Sequence, residues 1–539
     1  MNKAIWHRGS TQCGGPNVSY PQPRLRRSPG LSDLQALIPF ASSTPRRRST
    51  ATLRNACSSS LTTTLALIAS ACGAGAAALA ATGHDHAGTY MLAGLETVLV
   101  AWLAALGWTA ERTWARAGVI AAAVWVPTFL IASWAYAINP SLLDVGPPNR
   151  PIATVDLSLV CFIAGYASLL RRPGGTRNAQ DLEVTETYVR VEQVTLSRIW
   201  AIAWVAIGCL GFCVIFVVTG GPVHFIRNVS SEGSLTRGRT YFVAAALALV
   251  FIAQVAACAK WSRGDVLPRR LIAGLVAALL LSATLGAREL LAVPLVELAL
   301  YYGLVRRRLR VRAGLPLLLA GALVIVVGVG MVKRYGNYVH THPGVPVSRL
   351  EFLFTKGPGD FVSSYVSNTA DGVRLIALGE RTVPRYAAPE YGKEALRLLL
   401  QPLPSGIRPE VSTAPAIEAA IYPSSTDSYA QPLQLVSYLQ FVYPGVVVAF
   451  LILGAVTAML DHRLAAGSAP RRPSTLLLLV ALTVEVPALL RSASAGAVAV
   501  ELIEVVGLWA VARSSERLVE HRRPLPEPPA AVYPSAAAL

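Results

Sequence analysis

Long uninterrupted apolar segments recur along this 539-residue chain and limit what it can fold into. Each is about 20 residues long, the length of α-helix that crosses the hydrocarbon core of a bilayer. The segments lack the polar–apolar alternation of a transmembrane β-barrel strand. The sequence therefore predicts an all-α, polytopic integral membrane protein with about twelve transmembrane helices. The predicted spans are 61–82, 90–110, 118–138, 152–170, 199–219, 241–259, 271–287, 289–305, 313–332, 433–460, 474–491 and 495–512.

The charge composition agrees with a membrane protein. Charged residues make up 14% of the chain, against about 25% in an average soluble domain. In a soluble protein, the net charge of +18 would suggest nucleic-acid binding. In a membrane protein, Lys and Arg accumulate in the cytoplasmic segments, and this positive-inside rule accounts for the charge. We therefore expect no nucleic-acid partner.

One apolar stretch, 271–305, is too long to be a single span. As one helix it would be about 52 Å long, against a hydrocarbon core of about 30 Å. The tripeptide Gly286-Ala287-Arg288 lies midway along it. The sequence therefore predicts a tight hairpin between the seventh and eighth spans.

The distribution of Lys and Arg predicts the orientation. With the N-terminus inside, the inner segments carry 32 Lys and Arg, and the outer segments apart from one large loop carry 6. Long loops are exempt from the positive-inside rule. We therefore expect a protein of the cytoplasmic (inner) membrane with both termini cytoplasmic. The predicted regions are a disordered tail (1–58), nine spans (59–332), a large exterior loop (333–431), three spans (432–512) and a second disordered tail (513–539).

The large loop before the last three spans is the most unusual part of this plan. It has 99 residues and carries basic, acidic and aromatic side chains but no cysteine. Segments 360–378 and 393–400 have helical apolar spacing, with Val373 and Leu375 among the residues expected to be buried. Such a loop suits the binding of sugars, and the same composition also suits a solvated domain that lies on the membrane.

Arginines in the shorter exterior segments suggest anion binding. Arg288 lies at the hairpin tip, and Arg237 and Arg239 lie in the loop that Gly220-Gly221 opens. A guanidinium group offers a planar, bidentate fork to a phosphate or pyrophosphate. Alternatively, an arginine at a span end extends its side chain to the lipid headgroups.

Segment 284–291, which reads TLGARELL, resembles the hairpin of the bacterial O-antigen polymerase family, the oligosaccharide repeat-unit polymerases. A span with Tyr301-Tyr302 and a basic cytoplasmic cluster follow it, as in that family. The large loop before the last spans, and the return to the membrane through Tyr443-Pro444-Gly445, also resemble the family. The resemblance covers roughly 199–460, and O-antigen ligases share the same plan.

The resemblance implies a metal-independent, inverting glycosyltransferase without a cofactor. It would join polyprenyl-pyrophosphate-linked oligosaccharides on the exterior face of the membrane, in contact with membrane lipid and with flippase and chain-length regulator proteins. Arg288 and Arg237 or Arg239 would bind the pyrophosphate, which would stabilise the charge that develops on the leaving group. Within the loop, we take Arg408 and Tyr391 as further substrate-binding candidates. The candidate bases for the acceptor hydroxyl are His340, His342, Glu410 and Asp427.

Two alternatives remain beside the polymerase. One is a polysaccharide ligase or another glycosyltransferase of polyprenyl-linked sugars. The other is a transporter or flippase of lipid-linked sugars, because charges at membrane depth often mark a proton or substrate path. The acids within the predicted spans are Glu96, Asp156, Glu297, Glu485, Glu501 and Glu504.

Overall fold

The computed structural model describes most of the apolar part of the chain. The described residues are 64–65, 67–75, 78–79, 85–111, 116–143, 146–170, 191–221, 240–283, 289–306, 351, 371–400, 407, 409, 416–417, 431–465 and 471–518. The predicted span 313–332 and both predicted tails, apart from 513–518, lie outside them.

Helices dominate the described residues, and most coincide with predicted spans. In chain order they are α1 (Asp85–Glu111), α2 (Ala117–Ile138), α3 (Asn149–Leu170), α4 (Arg198–Val218), α5 (Thr240–Ser262), α6 (Arg269–Ala283), α7 (Glu289–Arg306), α8 (371–382), α9 (Lys393–Leu399), α10 (Leu433–Ala465), α11 (Pro473–Ala488) and α12 (Ala495–Ser515). Helices α8 and α9 belong to the predicted large loop. The described part of 61–82 is helical as well.

Six of the described helices are long and apolar enough to cross a membrane: α1 to α5 and α10. Helices α7 and α11 contain shorter apolar segments. Helix α6 ends at Ala283 and α7 begins at Glu289, so 271–305 forms two helices, as predicted. The number of spans and the side of the large loop stay predictions.

Two helices depart from regular α geometry, and each departure coincides with a proline. Residues Val126–Leu130 of α2 form a π-helical turn that contains Pro127. Helix α10 kinks at Phe441 and Val442, just before Pro444. A proline has no backbone N–H and clashes with the carbonyl four residues earlier, so it interrupts the helical hydrogen bonds at these points.

Among the described residues, the helices bury two large apolar cores and a small third cluster between α5 and α6. The first lies among α1, α2, α3, α8 and α10 and contains Trp125, Phe162 and Phe450. The second lies among α4, α5, α7, α11 and α12 and contains Phe251 and Tyr301. Helices α10 and α11 contact each other and join the two groups.

Helices α3 and α10 form the most extensive helix pair and approach closely at two glycines. A Cβ atom on Gly165 would overlap the backbone of Leu451, and one on Gly454 would overlap the backbone of Phe162. Small residues allow such close approach of helices in membrane proteins.

One end of the helical bundle is held together by a short β-sheet. Strand β1 (Val194–Leu196) pairs antiparallel with β2 (Glu516–Leu518), which follows α12 directly. Strand β2 ends at Leu518, so the described elements continue past residue 513, where the sequence places the start of the second tail. The three-residue strands are a small exception to the predicted all-α class. At the same end, both carboxylate oxygens of Asp461 accept backbone N–H groups at the start of α2.

Candidate functional site

Most of the residues predicted to bind substrate or to act as a base lie outside the described residues. Only Tyr391 can be placed. The others, for which the roles stay predictions, are Arg237, Arg239, Arg288, His340, His342, Arg408, Glu410 and Asp427.

The described part of the large loop packs against the helices. In α8, Val373 and Leu375 are buried in the first core, as their spacing predicts. The chain then turns back, and the backbone N–H groups of Glu390 and Tyr391 donate to the carbonyls of Leu439 and Gln440 in α10. The loop is thereby fixed to the end of the bundle opposite the β-sheet.

A polar cluster joins α8 to the first turns of α3. The Thr154 hydroxyl donates to Glu380, and the Nε of Arg150 lies 3.7 Å from the other carboxylate oxygen of Glu380. The same Nε donates to the Tyr443 hydroxyl at 3.2 Å. We call Arg150, Thr154, Glu380 and Tyr443 the loop cluster, because it links the large loop to both α3 and α10.

Exposure differs sharply within the loop cluster. The Glu380 side chain is 3% exposed and the Arg150 side chain is 62% exposed. Burial raises the pKa of Glu380 above its ordinary value, while the hydrogen bond from Thr154 and the charge of Arg150 oppose that rise. The buried Glu380 therefore positions the guanidinium, and Arg150 is the solvent-accessible member of the pair.

Tyr391 has an unusual backbone conformation. Its φ is 47°, and the next residue, Gly392, has a φ of 86°. Left-handed backbone is unfavourable for a residue with a Cβ, and such conformations concentrate at functional sites. Tyr391 is 70% exposed, and its ring packs edge-on against Phe441, with the ring centroids 6.4 Å apart. An aromatic ring is thus held out from the surface by strained backbone.

An apolar groove begins at Phe441. It has a volume of about 450 Å³ and runs along the kinked part of α10, beside α9. Its walls are mostly apolar, with Glu394, Ser437 and Gln440 as polar exceptions; the apolar side chains include Leu398, Leu433, Val436, Phe441, Pro444, Val448 and Ala449. We call this the kink groove, because its lining includes Phe441 and Pro444 at the kink of α10.

The surroundings of the kink groove are also apolar. Leu396 and Leu399 of α9 are exposed, and so is Val448 of α10. Exposed apolar side chains on a short helix are typical of a segment that lies in the interface of a membrane. Tyr391 thus adjoins a lipid-compatible groove through Phe441, and the loop cluster reaches the same helix at Tyr443, next to the groove residue Pro444. This combination of apolar walls with an exposed arginine and tyrosine suits a ligand with an apolar chain and a polar, anionic head.

Sequence reasoning missed Arg150 and Glu380. Arg150 stands alone before an apolar span, which is indistinguishable from an arginine that extends to headgroups. Glu380 lies within an amphipathic segment and has no motif around it. Nothing local in the sequence shows that these two side chains meet.

A second group of polar side chains lies within the apolar helices. Glu96 of α1 and Asp156 of α3 are buried and interact electrostatically. Trp125 donates to one oxygen of Glu96 at 2.9 Å. Neither carboxylate oxygen of Asp156 has a hydrogen-bond partner among the described residues. Elsewhere, Glu297 accepts from Gln254 at 2.8 Å.

In the part of the chain that the structure describes, no group of three His, Cys, Asp or Glu side chains could hold a metal ion. Comparison of the chain with protein-family models, with curated proteins and with solved structures gives no significant match. The functional assignment therefore depends on the residues and on their geometry.

Proposed function

We propose that this protein is a membrane glycosyltransferase that polymerises polyprenyl-pyrophosphate-linked oligosaccharides into a surface polysaccharide. The observation that carries the proposal is the arrangement of the large loop: it packs the exposed Tyr391 against Phe441, a wall of the kink groove, and pairs Glu380 with the exposed Arg150. Ligands of this class combine an isoprenoid chain, a pyrophosphate and sugars. The groove volume of about 450 Å³ falls in the range of about 300–1,000 Å³ that is common for ligand sites.

Each part of the site has a matching part of the ligand. The apolar walls of the kink groove suit the isoprenoid chain nearest the headgroup. The guanidinium of Arg150 suits a phosphate, because it provides several N–H donors in one plane. The exposed ring of Tyr391 suits the apolar face of a sugar.

In the proposed reaction, a hydroxyl oxygen of the acceptor sugar attacks the anomeric carbon of the donor, and the bond from that carbon to the pyrophosphate breaks. The electron pair leaves with the pyrophosphate, and the hydroxyl proton passes to a base. Arg150, together with Arg288 and Arg237 or Arg239 from the sequence analysis, would stabilise the leaving pyrophosphate. The base would come from the loop residues His340, His342, Glu410 and Asp427, which are candidates from the sequence alone.

The length of surface polysaccharide in cells tests this proposal. We expect Arg288→Ala and Arg150→Gln to abolish long chains and to leave single lipid-linked repeats on the exterior leaflet. Arg385→Gln is the matched control, because Arg385 is an exposed arginine of the large loop that belongs to neither the loop cluster nor the wall of the kink groove. Unchanged chain length in both variants would refute the pyrophosphate role. Full-length chains that stay on the polyprenyl carrier would instead indicate a ligase.

A transporter or flippase of lipid-linked sugars is the second candidate, and Asp156 favours it. A buried carboxyl group without a hydrogen-bond partner is costly within a membrane and often carries protons. If the protein is such a transporter, Asp156→Asn and Glu96→Gln trap lipid-linked repeats on the inner leaflet. A polymerase predicts instead that these two variants keep the long chains of the wild type.

A further inference from the structure

A basic pocket lies at the end of the bundle that the β-sheet closes. Its volume is about 520 Å³, and its walls come from the chain before β1, from the start of α11 and from the end of α12. The lining residues are Glu192, Arg471, Arg472, Thr475, Trp509 and Arg513. The three guanidinium groups thus face one cavity from two separate segments of the chain.

Backbone contacts hold this pocket in shape. The N–H of Glu192 donates to the carbonyl of Arg471 at 2.8 Å, and the short β-sheet fixes the end of α12 beside the same segment. Ser197 also donates its backbone N–H to the carbonyl of Ser515 at 2.9 Å. The arginines are therefore carried by ordered backbone on both sides of the cavity.

The acidic residues nearby do not cancel the positive charge. Glu192 lies 3.6 Å from the Nε of Arg472 and is the single acid in the pocket wall. The Glu516 carboxylate, which interacts with both Arg472 and Arg513, accepts the N–H and the hydroxyl of Ser474 at the start of α11. With both acids counted, three arginines still exceed two carboxylates.

We infer that this pocket binds a phosphate group. Three guanidinium groups around one cavity match the several oxygens of a phosphate, each of which accepts charge-assisted hydrogen bonds. Burial and the charge of nearby Arg463 lower the pKa of Arg471, which agrees with an excess of positive charge in this region. The phosphate belongs either to an anionic phospholipid or to a free anion in solution.

The position of Trp509 makes a phospholipid headgroup the expected source. Trp509 lies one helical turn before Arg513 in α12, so both side chains fall on the same helix face. Tryptophan is enriched where a membrane meets water, and basic pockets between helices there bind phospholipid headgroups. The site lies at the opposite end of the bundle from the loop cluster, so it does not depend on the proposed polymerase activity.

The experiment uses the full-length purified protein in lipid nanodiscs. The thermal unfolding midpoint is measured in zwitterionic discs, in discs with phosphatidylglycerol, and in zwitterionic discs with added inorganic phosphate. The pocket variant is Arg472→Gln with Arg513→Gln. The charge-matched control is Arg269→Gln with Arg270→Gln, two exposed arginines at the start of α6 that lie outside the pocket. Native mass spectrometry counts the phosphatidylglycerol molecules that stay bound.

We expect phosphatidylglycerol to raise the midpoint of the wild type and of the control, and the pocket variant to lose most of that shift. Its retention of phosphatidylglycerol should fall about tenfold or more. A shift with inorganic phosphate that the pocket variant also loses assigns the site to a free anion. If the pocket variant and the control lose the same shift, or if neither does, the inferred site does not exist.

Discussion

The close crossing of α3 and α10 makes a specific prediction about Gly454. A Cβ at this position would overlap the carbonyl of Phe162 and the backbone nitrogen of Tyr166. Both obstacles are backbone atoms, so no change of rotamer can relieve the overlap. The two helices must separate in Gly454→Ala, and the separation weakens the most extensive helix pair of the bundle.

The magnitude follows from two opposing terms. Overpacking of this kind costs about 3 kcal/mol, the upper part of the usual range, because backbone meets backbone. The higher helix propensity of alanine offsets about 1 kcal/mol of this cost. We therefore expect Gly454→Ala to lower the free energy of unfolding by about 2 kcal/mol.

A control variant isolates the overlap from the change in propensity. Gly274 lies within α6, and a Cβ there would meet no atom within 4 Å. We expect Gly274→Ala to be neutral or to gain up to about 1 kcal/mol. Thermal and denaturant unfolding of the purified protein in detergent measures both variants. The reasoning is wrong if Gly454→Ala is as stable as Gly274→Ala.

Three further predictions concern single side chains. Burial raises the pKa of Glu380, so the folded protein binds this proton more tightly than the unfolded chain does. The free energy of unfolding should therefore fall as the pH rises from about 4.5 through the raised pKa. A pH series of unfolding midpoints should show less of this fall in Glu380→Gln. Tyr391→Asn relieves the strain of the left-handed backbone and should raise the free energy of unfolding by about 1 kcal/mol. If the tyrosine ring binds sugar, the same variant should shorten the surface polysaccharide in cells. Asp461→Ala removes the acceptor for two backbone N–H groups and for the Tyr166 hydroxyl at 2.6 Å. It should therefore lower the free energy of unfolding by about 3 kcal/mol. An unfolding midpoint equal to that of the wild type would contradict this.

Helix positions could be predicted from the sequence because apolar composition and helix length are local properties. The break between α6 and α7 was predictable in the same way, from a stretch too long for one span. The kink of α10 was not placed, although Pro444 was visible. A proline marks where a helix is weakened, and the packing around it decides whether the chain bends.

The loop cluster could not be predicted, because its members come from distant parts of the chain. Arg150 and Glu380 are 230 residues apart, and each sits in an unremarkable local context. Tyr391 was chosen for its residue type alone. Its left-handed backbone occurs where Glu390 and Tyr391 donate hydrogen bonds to α10, and no local sequence pattern predicts these bonds.

Helices α3 and α10 give the site its geometry. Arg150 lies at the start of α3, and its partner Tyr443 lies on α10, so the distance between them depends on how these two helices cross. The glycine crossing that sets this distance lies about 22 Å along α3 from Arg150, at Gly165. A rigid crossing at that distance fixes the position of Arg150 without occupying the space around its guanidinium. Gly454→Ala should therefore shift the Arg150–Tyr443 contact as well as lower stability, even though it touches no residue of the loop cluster.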